Sequence, residues 1–500
     1  MKRVRPLVVA MVAMGTLAGC LLLDPFDDLR ATPPPGTEGA VDAPFDGTTD
    51  ANETSCTGID TAKDPKHCGA CGRACAAGFA CNEGHCGNEA VLVGGGSAHT
   101  CAVLRRGDVY CWGDATSAQT GTGIETDAAV PPTLVPRDTV GAALTARELA
   151  LGDAHTCAFG EDLRLRCWGS QIFGELSDDE TSPDGGPMNR AIPHPATQAW
   201  ANIRGMPTYG YKTIGRGPVA NHGCAVDVDG GGVLCWGDNS GKALGDIEPA
   251  HPSSPVDCDN GIDNCRATPA RVADIPNTVA LSLGRSTTCA LDGDGGVLCW
   301  GSNRLGQLGP GYLVKICVPD EPCPKPPYRP LIGAATAIAT GADTTCAILA
   351  DKSVWCWGVN NHDQLGQSHL DPDSGTGCCY KDLSCAFYCN PTPARVPGIE
   401  SVIAVTVGID HVCALREDRT VWCWGANDKG QLGTNDVTGS AAPRRVSNLM
   451  DVAMISAGAA HTCAVTRGGE LLCWGANDRG QLGVGTANAK VPVAPVGLPR

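Results

Sequence analysis

Three sets of side chains in this sequence could do chemistry. There are 29 cysteines; five histidines, His99, His155, His222, His411 and His461, each stand two residues before a cysteine; and Asp257, Asp259 and Asp263 place carboxylates within one short segment. Thiols and imidazoles could act as nucleophiles, bases or zinc ligands, and closely spaced carboxylates could hold calcium. The histidines recur along the chain, with Thr287 and Thr344 taking their place in two further copies. A residue repeated in this way belongs to a scaffold's own hydrogen bonding, because catalysis needs its base only once. The aspartates lack the full twelve-residue ligand set, so no metal is assigned beyond naming Asp257, Asp259 and Asp263 as a calcium candidate. No Gly-x-Ser-x-Gly, His-Glu-x-x-His or phosphate-loop motif is present. No catalytic residue is assigned, no cofactor is expected, and the chain is not read as an enzyme.

With Cys20 set aside, the other cysteines divide into even groups. Six lie close together (Cys56, Cys68, Cys71, Cys75, Cys81 and Cys86), fourteen recur periodically, and eight sit in loops (Cys258, Cys265, Cys317, Cys323, Cys378, Cys379, Cys385 and Cys389). Even groups point to disulfides, which persist in an oxidising compartment. The N-terminus agrees with export. Lys2, Arg3 and Arg5 precede an apolar run from Leu7 to Ala18, the order of a signal peptide over residues 1–19 and too short for a membrane span. Leu17-Ala18-Gly19-Cys20 resembles the lipobox of bacterial lipoproteins, which implies lipidation of Cys20 and, with Leu21 following it, an outer-membrane destination facing periplasm or exterior. The formal charge of −17 becomes −20 without the three basic signal residues. That balance excludes nucleic acid as a partner and leaves the lipid anchor as the sole membrane contact.

The elements that must position these residues follow from the segments. Residues 20–55, the lipidated cysteine and a stretch rich in Asp, Pro, Thr and Gly, read as a disordered tether. Residues 56–87 are too few for a core and need crosslinks. Their Cys68-Gly69-Ala70-Cys71-Gly72-Arg73-Ala74-Cys75 run resembles the small cysteine-rich module of stigma-specific proteins and of many exported myxobacterial proteins. A zinc knuckle using Cys68, Cys71 and His67 or His85 is the rival; an exported six-cysteine segment favours disulfides.

From residue 88 to 500 one pattern returns seven times, each copy marked by Cys-Trp-Gly at Cys111, Cys167, Cys235, Cys299, Cys356, Cys423 and Cys473. The spacing runs from 50 to 68 residues, so the shortest step shows the unit and the excess is insertion. Each unit carries a Cys-Ala-apolar segment and an apolar-x-Cys-Trp segment around a turn such as Arg105-Arg106-Gly107-Asp108, which predicts a hairpin. If Leu104 faces Asp108, Cys101 falls opposite Cys111. The predicted blade disulfides are therefore Cys101–Cys111, Cys157–Cys167, Cys224–Cys235, Cys289–Cys299, Cys346–Cys356, Cys413–Cys423 and Cys463–Cys473. Cys258, Cys265, Cys317 and Cys323 are assigned to disulfides in the inserts. The seven tryptophans read as packing between blades.

The repeat Gly-x-x-His-Thr-x-Ala, followed by Trp-Gly-x-Asn-x-x-Gly-Gln-Leu-Gly as in Trp300 to Gly309, resembles the regulator of chromosome condensation family. The resemblance implies an all-β fold, a seven-bladed β-propeller, here preceded by the small disulfide-rich module. It weakens in the first two copies, at Gln119-Thr120-Gly121 and Gly174-Glu175-Leu176-Ser177. Nucleotide exchange on a nuclear GTPase, which eukaryotic members perform, does not suit an exported acidic chain. A further strand beginning Pro-x-x-Val recurs at Pro269, Pro393 and Pro443. The first unit is read as lacking one, so the C-terminal Val491 to Leu498 is expected to complete that first blade and close the ring. Every long insertion is placed between the Gly-Gln-Leu-Gly turn and the next Pro-x-x-Val strand, which gathers the inserts, including the acidic Ser177 to Pro187 stretch, on one face. The expected function is a monomeric, lipid-anchored module that binds an envelope or extracellular protein or polysaccharide. Inhibition of a secreted enzyme is the alternative, since a bacterial β-lactamase-blocking protein resembles this family, and an envelope enzyme with loop-borne residues stands third.

Overall fold

The computed structural model describes residues 88–498 apart from 177–188, 196–210, 246–264, 311–328, most of 370–386 and short gaps in a few turns; ahead of residue 88 it describes Lys63, Lys66 and the paired strands Cys81–Asn82 and His85–Cys86. The lipidation site Cys20, the signal segment, the tether, most of the cysteine-rich module, Cys258, Cys317, Cys323 and the calcium candidates Asp257, Asp259 and Asp263 lie outside the described residues.

Seven antiparallel sheets follow one another along the chain. Each begins with an inner strand: Ala90–Gly95, Ala146–Leu151, Tyr211–Ile214, Thr278–Leu283, Ala335–Thr340, Val402–Val407 and Val452–Ala457. Each inner strand touches the next, and the seventh touches the first, so the sheets form a closed seven-bladed propeller. Blades 1, 2, 3, 6 and 7 have four strands. Among the described residues blade 4 has three, and blade 5 adds a two-residue strand, Gly377–Cys378, outside its fourth.

The second and third strands are the predicted hairpin. Short apolar and β-branched segments suit a pleated, buried ladder, and in blade 1 the Leu104 amide donates to Asp108 O while Cys101 pairs with Cys111. All seven within-blade disulfides are present, each with its Cα atoms 4.1 Å apart, the separation of a narrow, non-hydrogen-bonded antiparallel pair. Each closes a loop of ten or eleven residues, contributing about 2–3 kcal/mol by restricting the unfolded chain. The glycine of each triplet ends the regular ladder toward the outer strand. Gly113 lies at φ 103°, in a register shift between Cys111 and Gly113, and a Cβ there would sit 2.6 Å from Ala98 O.

The apolar core lies between blades more than within them. One cluster joins Phe159, Leu165 and Leu176 of blade 2 to Ile214, Leu234 and Trp236 of blade 3, and another joins Val396 and Ile399 after blade 5 to Val412 and Trp424 of blade 6. All seven triplet tryptophans are fully buried, each worth about 3–5 kcal/mol against truncation to alanine.

Two expectations are corrected. The C-terminal strand Ala489–Val493 pairs with Leu471–Gly475 of its own blade, and blade 1 has its own fourth strand, Thr126–Leu134. The missed signal is Pro132-Thr133-Leu134-Val135, itself a Pro-x-x-Val; the Val135 amide donates to Val109 O as Val272, Val396 and Val446 donate to the equivalent carbonyls. Closure comes from packing of complete blades, with Ala90 N donating to Gly469 O and Ala459 N to Gly96 O. The second correction concerns the inserts. Blade 2's fourth strand, Arg190–Pro195, comes before residues 196–210, so the connection to blade 3 leaves from the other end of the blade than the turns after third strands.

Candidate functional site

The repeated histidines and tryptophans meet where blades join. Each triplet tryptophan donates its Nε1–H to a backbone carbonyl of the preceding blade: Trp112 to Gln481, Trp168 to Gln119, Trp236 to Glu175, Trp300 to Ala243, Trp357 to Gln307, Trp424 to Gln364 and Trp474 to Gln431, at 2.8–3.0 Å. Thr100, Thr156, Thr288 and Thr345 donate their hydroxyls to the same carbonyls at 2.8–2.9 Å. Four histidines reach forward to the next blade's threonine: His99 to Thr156, His222 to Thr288, His411 to Thr462 and His461 to Thr100, at 2.8–2.9 Å.

This arrangement fixes the imidazole state. Thr156 spends its proton on Gln119 O, so it accepts from His99, which places the imidazole proton on Nε2 and leaves Nδ1 a buried lone pair. The same logic holds for His222 and His461. Burial holds His99, His222 and His461 down to a pKa of about 3, with neighbouring histidines adding to the depression, and burial alone holds His155 and His411 to about 4. Neutral, enclosed imidazoles that bond to scaffold hydroxyls are structural ties, not bases.

The turn after each triplet is equally determined. In blade 6, Asn427 Oδ1 accepts from the Leu432 amide and Gln431 Oε1 from the Lys429 amide, while Gly430 and Gly433 take φ of 85° and 66°. Asn303, Asn360 and Asn477 repeat the first contact. In blade 2 glutamate replaces the glutamine. Glu175 Oε2 accepts from the Phe173 amide at 2.7 Å, and burial pushes its carboxyl up to about 8 against these hydrogen bonds. At neutral pH it is a protonated stand-in for the amide.

These turns lie on the same side as the loops between first and second strands, because both connect strands at one end of an antiparallel blade. The two sets touch: Gln307 Nε2 donates to Asp343 of the next blade and Gln364 Nε2 to Asp410. At the centre of this face Val219, Ala342 and Ala459 are buried together, with Ile409 packed on them. Around this apolar plug stand Arg285, exposed, and Asp343 and Asp410, half-buried. Burial raises both carboxyls, Arg285 lowers both, and His362, 3.9 Å from Asp410, lowers the latter. Among the described residues no group of three or more histidines, cysteines or carboxylates could hold a metal. The long connections 177–188, 246–264, 311–328 and 370–386 follow the third strands of blades 2 to 5 and start from this face. Cys265 and Cys389, beside two of them, are disulfide-bonded. Sequence reasoning named the inserts but not this central plug, whose residues are small and carry no motif.

A closed ring of seven antiparallel blades, tied by tryptophan to backbone carbonyls of the blade before, defines a repeat β-propeller that displays its loops on two faces. The chain belongs to the RCC1-like domain family, which matches residues 219–499, and the regulator of chromosome condensation repeat matches residues 90–119. The ultraviolet-B receptor UVR8 of Arabidopsis thaliana is 25% identical over 356 residues, covering 70% of this chain and 68% of that protein. The guanine nucleotide exchange factor SRM1 of Saccharomyces cerevisiae is 23% identical over 357 residues, covering 65% and 66%. Among solved structures, yeast RCC1 (Prp20) bound to Kap60 superposes with a TM-score of 0.60 at 20% identity, covering 77% of this chain and 83% of that one, which is a likeness of fold.

Proposed function

We propose that this chain is an exported propeller, anchored through a lipidated Cys20, that binds a protein of the envelope or exterior with the face carrying its inserts. The observation that carries the reading is the distribution of length: four long connections follow third strands, while at the other end of the blades the hairpin turns stay short and 196–210 is the one comparably long connection. Variable loops on a scaffold fixed by ties at every joint are the usual layout of a recognition surface. Relatives favour protein over polysaccharide as the ligand, since Prp20p of Saccharomyces cerevisiae, which shares the fold, has binding properties to Gsp1p and histones. The acidic balance of this chain argues for a basic protein partner and against nucleic acid.

The test is capture from envelope extracts by the Cys20→Ser chain, side by side with its Asp343→Lys/Asp410→Lys form. A protein retained by the first and lost from the second supports the reading. Equal retention by both, or recovery of polysaccharide alone, contradicts it.

A further inference from the structure

The seven joints are not equivalent, and the departures concentrate at one. Where blades 4, 5 and 6 meet, histidine is replaced on the earlier blade: Thr287 and Thr344 turn their hydroxyls back to their own blade, onto Ser302 O and Val359 O. Val412, fully buried, then stands where blade 6 would carry the receiving threonine. The joint of blades 5 and 6 has lost both partners of the tie, and at the joint of blades 4 and 5 the remaining Thr345 is satisfied on Gln307 O.

Between blades 2 and 3 the histidine remains and its acceptor is gone. His155 is buried, and the position that bears Thr156, Thr288 or Thr462 in other blades is Gly223. The Trp236 ring has moved toward the vacated place, so a Cβ on Gly223 would fall 2.5 Å from it. A cavity of about 10 Å³ lies there, lined by His155 and Leu165 of blade 2 and by Ile214, Gly223 and Trp236 of blade 3. Its walls are almost wholly apolar, so a water inside would find few partners. The inner strand of blade 3 spans four residues where the other six span six. The glutamine of the tryptophan tie is also replaced here, by Glu175.

We infer that the propeller ring opens first between blades 2 and 3, at a seam where a buried imidazole faces a cavity in place of a hydroxyl. Dispersion contacts are lost across a void, and His155 lacks the threonine hydroxyl that its four counterparts bond, so both terms weaken this joint. Opening here separates the two blades whose connections 177–188 and 246–264 leave from the candidate face.

Equivalent amides report each joint, because the loop after the inner strand bonds to the neighbouring blade. Asp153 N donates to Ala220 O across the seam, Ile409 N to Ala459 O between blades 6 and 7, and Ala459 N to Gly96 O between blades 7 and 1. Native-state hydrogen exchange on the full chain should find Asp153 opening at least about tenfold faster than Ile409 and Ala459. Equal protection at the three amides would overturn the inference. A pair of variants gives a second reading. His411→Thr breaks a satisfied tie and His155→Thr removes an unpartnered ring, so the first should lower Tm more. Equal losses from the two would also overturn it.

Discussion

Glu175→Gln gives the blade 2 turn the amide that five other blades carry at Gln119, Gln307, Gln364, Gln431 and Gln481. In the wild-type protein burial raises the Glu175 carboxyl to about 8 from an ordinary 4.5. The folded state therefore keeps a proton that the unfolded chain has released between those values. Stability from this group is complete below pH 4.5 and is lost as pH rises through 8, at about 1.4 kcal/mol per unit, or about 5 kcal/mol across the window. Glutamine does not titrate, and every other group is common to both proteins, so the difference between them isolates this term. The variant's advantage should grow steadily from pH 5 to pH 8 and then level off. Denaturant unfolding at pH 5, 6, 7, 8 and 9, with disulfides intact, measures it directly. A difference independent of pH, or one that shrinks as pH rises, would refute the assignment of a protonated carboxyl to this turn.

Three further outcomes follow. The five buried histidines act in the opposite direction: their folded pKa values of about 3 to 4 lie below the ordinary 6.5, so stability is complete above pH 6.5 and falls as pH drops toward 4. Replacing His461 by Gln should reduce the steepness of acid unfolding by about 1.4 kcal/mol per pH unit, read from denaturant midpoints between pH 6 and 4.5. Trp424→Phe keeps most of the buried ring and loses the bond to Gln364 O, so it should cost about 1–3 kcal/mol by leaving that carbonyl unpaired, and Trp424→Ala about 3–5 kcal/mol, in urea unfolding. The double replacement Cys463→Ser/Cys473→Ser should cost about 3 kcal/mol and leave the circular dichroism of the folded state unchanged, since the hairpin register is also held by the ladder on both sides.

The hairpins were legible because their signals are local: two cysteines ten residues apart across a Gly-containing turn fix register without knowledge of the rest. The blade count followed from repetition of Cys-Trp-Gly. Closure is not legible in the sequence because Pro132 to Val135 sits behind a second proline, Pro131, and only pairing to Tyr110 and Cys111 reveals it as an outer strand. The histidine ties were legible as structural but not as ties, because His99 and Thr156 are 57 residues apart and meet only in the ring. Gly223 and Glu175 look like drift in a weak repeat. Their meaning comes from sharing one joint, which is a fact of three dimensions.

The claim that the insert-bearing face does the binding has a direct measurement. A photo-crosslinking residue placed at His362, exposed beside Asp410 on that face, and another at Lys352, exposed at the hairpin turn on the opposite face, are compared in cells expressing the full chain. Crosslinks to a protein partner from position 362, and none from 352, are the predicted result; crosslinks confined to 352 would contradict it.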